Sequence, residues 1–291
     1  MSSDPAVPRV LVDGIVMGES PRWHGGRLWF CDWGVGEVVA VDLDGRREVM
    51  ARIDSLPLSI DWLPGDRLVV VDSKRHRLLR QEPGGTLVTH ADLAAVSTHP
   101  WNEIVVDDRG RAYVNSIGFD MLGAGMADGA GTGQGFVVLV EADGAVRGVA
   151  EGLSFPNGMA ITADGSTLLV AESYAGCLTA FAIGPDGDLS GQRVWAQVDG
   201  SAPDGICVDA DGAAWYADVP NRRCVRVAEG GEVLDVVEAD RGCFACALGG
   251  AGGRTLFITA ANWAGPDAIG RGEPTGVVLT VAAPAGKTGR P

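Results

Sequence analysis

Two stretches of the chain set an oxygen-donating side chain between a proline and a glycine: Asn157 in PNGMAITADG (156–165) and Asp204 in PDGICVDADG (203–212). Amide and carboxylate oxygens are hard donors of the kind that hold calcium, and a carboxylate can also take a proton from water. Taken singly, each residue reads as a turn cap, because Asn and Asp satisfy nearby backbone N–H groups. Two in the same context, each heading an alternating apolar run that ends in an Asp-Gly turn, read instead as equivalent positions of a repeat. Their chemistry then depends on which elements carry them and where those elements converge.

Aligning on the turn and the apolar triplet after it gives six matches. In order they are GESPRWHGGRLWF from Gly18, LSIDWLPGDRLVV from Leu58, WNEIVVDDRGRAYV from Trp101, PNGMAITADGSTLLV from Pro156, PDGICVDADGAAWYA from Pro203 and CFACALGGAGGRTLFI from Cys243. Each is a short strand, a Gly-containing turn and a second strand rich in β-branched or aromatic residues. Further strands follow, for example CLTAFAI from Cys177 and CVRVAEG from Cys224, while helical periodicity is nearly absent. A unit of roughly forty residues is the period of a β-propeller blade. The sequence therefore predicts an all-β, six-bladed β-propeller with four-stranded antiparallel blades, forming one domain over 1–291 with blade cores starting near 18, 58, 101, 156, 203 and 243. RVLVDGIV from Arg9 and TGVVLTVAA from Thr275 are left over at the two ends. Their pairing in one blade would close the ring and remove its exposed edges.

In a propeller the first strand of each blade lines the central channel. The equivalent positions Glu19, Ser59, Asn102, Asn157, Asp204 and Ala245 would therefore meet at one end of it. Two carboxylates and two amides on one axis repel and are poorly solvated unless a cation sits among them. Oxygen donors of this set suit calcium, and also magnesium or manganese; the His and Cys ligands of a structural zinc site are missing.

Composition bounds the partners. A formal charge of −15 argues against nucleic acid or anionic membranes as partners, since both are bound through clustered Lys and Arg. With 46% apolar residues the chain can bury a large core, and it shows neither a signal-peptide pattern nor a membrane-length apolar run, so a cytoplasmic protein is expected. Its oligomeric state, monomer or small homo-oligomer, is left open. Cys31, Cys177, Cys207, Cys224, Cys243 and Cys246 are scattered, mostly within apolar runs, where a thiol acts as a small hydrophobe. Cys243 and Cys246 have CxxC spacing but lack the second pair of a zinc site.

Outside the repeat, Gly118–Phe136 is too rich in glycine for a strand and reads as a connection, or as a lid if it lies on the channel face. Phe119 and Asp120 at its base are candidate substrate contacts. His99, beside the third unit, is either a hydrogen-bonded loop residue or an auxiliary acid–base group. Trp33 and Trp263 could wall the channel mouth or pack within a blade.

Over about Val12 to Val281 the sequence resembles the family of senescence marker protein 30, gluconolactonase and luciferin-regenerating enzyme. The resemblance is carried by GESPRW (18–23), WNEIVVDDRGRAYV (101–114), FPNGMAITADGSTLLVAES (155–173), PDGICVDADGAAWYAD (203–218) and FACALGG (244–250) followed by RTLFITAA. It implies a six-bladed propeller with one catalytic divalent cation, calcium first, with magnesium, manganese or zinc as alternatives. It further implies that Glu19, Asn157 and Asp204 ligate the metal and that Asn102 touches the metal-bound water or the substrate. The implied reaction is hydrolysis of a lactone to a hydroxy acid, with water activated by the metal, Asp204 as general base and Asn102 stabilising the oxyanion or orienting the water. Related propellers also hydrolyse organophosphates or catalyse isomerisation and condensation, and a non-enzymatic scaffold is the remaining class. Members acting on sugar lactones often have Arg two residues before the asparagine and Asp after it, where this chain has Pro100 and Glu103. Losing the Arg fork leaves Trp101 as an apolar face, so Trp101, Asn102, Glu103, His99 and Asp120 are the expected substrate contacts, for a less polar lactone or another ester.

Overall fold

A computed structural model describes residues 7–120, 134–265 and 273–290. Among these residues, 24 strands form six four-stranded sheets, every neighbouring pair antiparallel where its register is resolved. Blade 1 runs outward from the channel through Gly18–His24, Arg27–Asp32, Glu37–Val41 and Arg47–Arg52. The inner strands of blades 2 to 5 are Leu58–Leu63, Trp101–Val106, Pro156–Ile161 and Pro203–Val208. Blade 6 is closed by the two ends of the chain: Gly242–Gly249, Thr255–Ala261 and Gly276–Ala282 are followed on its outer edge by Arg9–Ile15. In that closure Arg9 pairs with Thr280 and Ile15 with Gly276.

Burial grades outward because a blade's inner strands are covered by neighbouring blades on both faces. Every residue of Leu58–Leu63 is buried, whereas Arg47–Arg52 at the rim is almost wholly exposed. Apolar contact between blades makes most of the core; one such cluster joins Trp215 and Cys207 of blade 5 to Cys246 and Ile258 of blade 6. The turns after the inner strands of blades 3, 4 and 5 need a left-handed residue, supplied by Gly110, Gly165 and Gly212 at φ 78°, 69° and 79°. Asp107 and Asp209 cap two of them, each accepting two backbone N–H groups on Oδ1 and an arginine Nε–H on Oδ2.

Glycine in the PNG and PDG segments has a separate cause. A Cβ on Gly158 would lie 2.5 Å from the Asp204 oxygen of the next blade, and one on Gly205 would lie 2.3 Å from Ala245 Cβ. The inner strands thus approach more closely than any side chain allows, which brings the residues beside these glycines within reach of one another. At the opposite end of the channel the last residues cross the inner strands: Arg290 bridges to Ile161 and Lys287 to Asp209. Arg290 also pairs with Asp108 at 2.8 Å. No helix among the described residues is long and apolar enough to cross a membrane.

Candidate active site

The residues that head the inner strands are aimed by a shared irregularity. The ladder between first and second strand shifts register between Glu19 and Arg22, Trp101 and Ile104, Pro156 and Met159, Pro203 and Ile206, and Cys243 and Ala245. Bulges of this kind re-aim a side chain that a regular ladder would hold on the sheet face. Asn102, Asn157 and Asp204 lie inside the shifted spans and Glu19 at the edge of one. Ser59, in contrast, pairs regularly with Val71 and its Oγ is buried without a partner.

A second repeated device fixes the chain just ahead of these residues. A carboxylate at the end of the second strand reaches back to the backbone before the first: Asp32 accepts the Val16 and Met17 N–H groups at 3.1 Å, Glu172 accepts Ser154 N–H at 2.7 Å, and Asp218 accepts Ala202 N–H at 3.3 Å. In blade 3 Ser116 takes the role by donating its hydroxyl to the Pro100 carbonyl at 2.9 Å.

Glu19, Asn102, Asn157 and Asp204 form the polar floor of one cavity of about 360 Å³. The Asn102 Nδ2–H donates to Asn157 Oδ1 at 3.2 Å and to the Pro156 carbonyl at 3.4 Å. Asn157 Nδ2–H donates to Ser173 Oγ at 3.4 Å, and the Ser173 hydroxyl donates in turn to the Pro203 carbonyl at 2.7 Å. Both amides are thus oriented by a chain of bonds crossing blades 3, 4 and 5. Asp204 is not so satisfied: its Oδ1 is buried with no hydrogen-bond partner.

Burial pushes the Asp204 carboxyl well above the usual carboxylate range, with the charge of Glu103 adding to it and the Gly205 N–H and Asn157 amide opposing it in part. Burial does the same to Glu19, reinforced by the charges of Asp204 and Glu103. A buried carboxylate oxygen without a donor, beside a second raised carboxylate and two amides, is a donor set suited to a hard cation. Among the described residues no three His, Cys, Asp or Glu side chains gather to hold a metal, so a cation here depends on the amide oxygens. The all-oxygen set fits calcium and lacks the soft ligands zinc prefers.

The chain from 17 to 262 matches the family described as the SMP-30/Gluconolactonase/LRE-like region. It belongs to that family. Solved structures with the same fold include a luciferin-regenerating enzyme (TM-score 0.80, 18% identity, covering 97% of this chain and 99% of that one). A calcium-binding protein, regucalcin, from Agrobacterium tumefaciens strain C58 superposes with TM-score 0.77 at 20% identity, covering 99% of both chains. A gluconolactonase from Xanthomonas campestris does so with TM-score 0.73 at 22% identity, covering 98% of this chain and 99% of that one.

Within this SMP-30/gluconolactonase-like propeller the remaining expected contacts lie elsewhere. Trp101 is fully buried in the blade interior, edge-on to Phe136 with centroids 5.5 Å apart, so it offers no face to the cavity. Its indole follows the ordinary alternation of the strand, and only its neighbour Asn102 is turned inward. Glu103 is buried outside the cavity lining, accepting from Ser20 Oγ at 2.9 Å, the Ile104 N–H at 3.0 Å and Arg22 at 3.3 Å. His99 is exposed, its backbone N–H donating to Ser97 Oγ, and Asp120 is exposed outside the lining. Most of the segment expected as a connection or lid, 121–133, lies outside the described residues. Ala245 is buried against Gly205.

The wall combines Trp33 and Trp263, both candidates for the channel mouth in the sequence, with residues that no motif singles out. Met17, Phe155 and Ala202 each stand two places before a floor residue. Trp33, Tyr174, Val219 and Trp263 each follow the end of a second strand within two residues. Trp33 and Trp263 are thus wall residues, while Phe119 packs behind Phe155 and Tyr174 at 5.8 and 6.2 Å. The cysteines are less scattered than their spacing suggests: Cys207, Cys224, Cys243 and Cys246 share one core, with the sulfurs of Cys207 and Cys246 3.9 Å apart. All six are free and buried.

Proposed function

We infer that the protein is a divalent-cation-dependent hydrolase that opens a lactone to a hydroxy acid. The observation that carries this reading is the partnerless, buried Oδ1 of Asp204 on a floor shared with Glu19, Asn102 and Asn157. Glu19, Asn157 and Asp204 would hold the cation, calcium by the donor set. When bound, the cation supplies a Lewis acid that polarises an ester carbonyl and acidifies water.

The chain's own groups do the rest. Asn102 stands at the floor with its amide N–H groups on Asn157 Oδ1 and the Pro156 carbonyl; with Asn157 Oδ1 turned to a cation, the N–H it accepts would be released to bond the carbonyl oxygen of the substrate as negative charge develops on it. Asp204, with a buried oxygen that no donor in the chain satisfies, is the carboxylate placed to accept a proton from water. The water oxygen bonds to the acyl carbon as its proton passes to Asp204, the acyl C–O bond of the ring breaks, and the departing alkoxide takes that proton from Asp204 to become the hydroxyl of the product, which returns Asp204 to the carboxylate. The apolar wall excludes bulk water, which strengthens each of these electrostatic contacts.

Acid release from a panel of δ- and γ-lactones in the presence of calcium tests the reading. Wild-type protein is expected to turn over at least one lactone, and Glu19→Gln and Asp204→Asn to lose that turnover while remaining folded. Equal turnover by both variants would overturn it.

A further inference from the structure

The wall of the cavity differs in kind from its floor. Met17, Trp33, Phe155, Tyr174, Phe244 and Trp263 turn largely apolar surface toward it, and no Arg, Lys or His lines it among the described residues. The polar atoms nearest the wall are partly spoken for: the Trp33 indole N–H donates to the Leu58 carbonyl at 2.6 Å and the Ser173 hydroxyl to the Pro203 carbonyl at 2.7 Å. The rings are held against one another, Phe155 on Tyr174 at 4.7 Å and Phe244 edge-on to Trp263 at 5.7 Å, so the wall is a preformed aromatic surface. Phe155 keeps its place through a left-handed backbone, φ 57°, that a phenylalanine adopts only under constraint from its surroundings. Trp263 stands at the rim, 41% exposed.

A polyhydroxylated ring entering this cavity would exchange several water hydrogen bonds for ring faces, which costs binding free energy for each hydroxyl left unpaired. An alkyl or aromatic substituent would gain by the same burial. We propose that the substrate is an apolar lactone, its ester group on the polar floor and an alkyl chain or aromatic ring against Trp33, Phe155, Tyr174, Phe244 and Trp263. The proposal rests on the lactonase reading for its reporter reaction, but the preference for apolar ligands is a property of the wall and can be measured without turnover.

Two measurements separate the two ideas. The first is kcat/KM of the calcium-loaded protein for glucono-δ-lactone and for a series of δ-lactones with lengthening alkyl chains. The expected result is a rise of about fourfold for each methylene the wall covers, with the longer members well above the sugar lactone. Trp263→Ala, at the exposed rim, is expected to flatten that rise chiefly through KM. A sugar lactone preferred over every alkyl lactone, or a flat series, would overturn the proposal and leave the lactonase reading standing. The second is quenching of tryptophan fluorescence in the metal-free protein by the same alkyl lactones. Saturable quenching that tightens with chain length, with no lactone turned over, would support the apolar site and sink the lactonase reading. Quenching independent of chain length would count against the apolar site whatever the turnover.

Discussion

Glu19 and Asp204 stand on blades 1 and 5, yet they meet closely enough at the channel floor that, after burial itself, the charge of Asp204 is the strongest influence raising the Glu19 carboxyl. Two buried carboxylates without a cation between them oppose the fold that assembles them. Asp204→Asn therefore should stabilise the metal-free protein, raising its melting temperature by roughly 2–4 °C for each kcal/mol of repulsion relieved, while abolishing the further rise expected of wild type on adding calcium. Differential scanning calorimetry with and without chelator reads both effects. A variant less stable than wild type in chelator would show that the floor is not electrostatically frustrated.

Asn102 separates an enzyme from a binding scaffold. Asn102→Ala removes the bonds to Asn157 and Pro156 but no carboxylate. The expected outcome is a fold and a calcium-induced thermal shift close to wild type with turnover reduced by about 10²–10³-fold, as when one oxyanion donor is lost. Unchanged turnover would remove Asn102 from the chemistry.

Gly158 tests the packing that assembles the floor. Gly158→Ala places a methyl group 2.5 Å from backbone atoms of Asp204 and Ile206, which cannot rotate away. Overpacking of this kind costs about 1–3 kcal/mol or more, and because the shift falls on the Asp204 backbone, calcium affinity should drop as well. Urea unfolding and calcium titration measure the two losses, and a neutral result would mean that blades 4 and 5 can separate freely.

Beneath the floor, Arg22 and Glu103 form a buried pair that Ser20 joins. Arg22→Ala strands the Glu103 carboxylate below Glu19 and Asp204, with an expected cost of about 3–5 kcal/mol, whereas Arg22→Met with Glu103→Met should cost far less than the sum of the single changes. Additive costs in a double-mutant cycle of urea midpoints would contradict this.

His24 gives the acid limb of stability. Burial between Trp62, stacked at 4.1 Å, and Trp29 holds its pKa below the usual value, and the Asp66 carboxylate at 3.5 Å only partly offsets this. The folded protein therefore binds the His24 proton more weakly than the unfolded chain does, and the stability present above the unfolded value of about 6.5 is lost as pH falls from there through the lower folded value. Burial depresses His90 in the same direction. Because the raised Glu19 and Asp204 carboxyls act in the opposite sense, the readout is the difference between proteins: the urea midpoint of His24→Phe should gain on that of wild type as pH falls from about 7.5 to about 5.5, and parallel profiles would exclude His24.

How much of this was legible depended on which signals repeat. The register that aligned PNG with PDG brought Glu19, Asn102, Asn157 and Asp204 to one floor, because the short inner strand and the turn glycine after it recur from blade to blade, while the close-approach glycine is shared by blades 4 and 5. The ring closure followed from two unpaired strands. Trp101 was misplaced because a bulge beside it turns its neighbour inward, and no residue type announces a bulge. The wall was legible in part: Trp33 and Trp263 are candidates for the channel mouth from their type alone, whereas Tyr174, at the equivalent place after the second strand of blade 4, sits in no motif that marks it. Glu103 differs by one methylene from the expected Asp, and its partner Arg22 lies too far along the chain for spacing to connect them.

The most direct test of the central claim is acid release from alkyl, aromatic and sugar lactones by chelator-stripped protein, before and after each divalent cation is added back, with bound metal counted in parallel. The account predicts no turnover when stripped, and turnover restored by one equivalent of calcium. Stoichiometric metal rebinding without hydrolysis of any lactone, or full activity in the stripped protein, would contradict it.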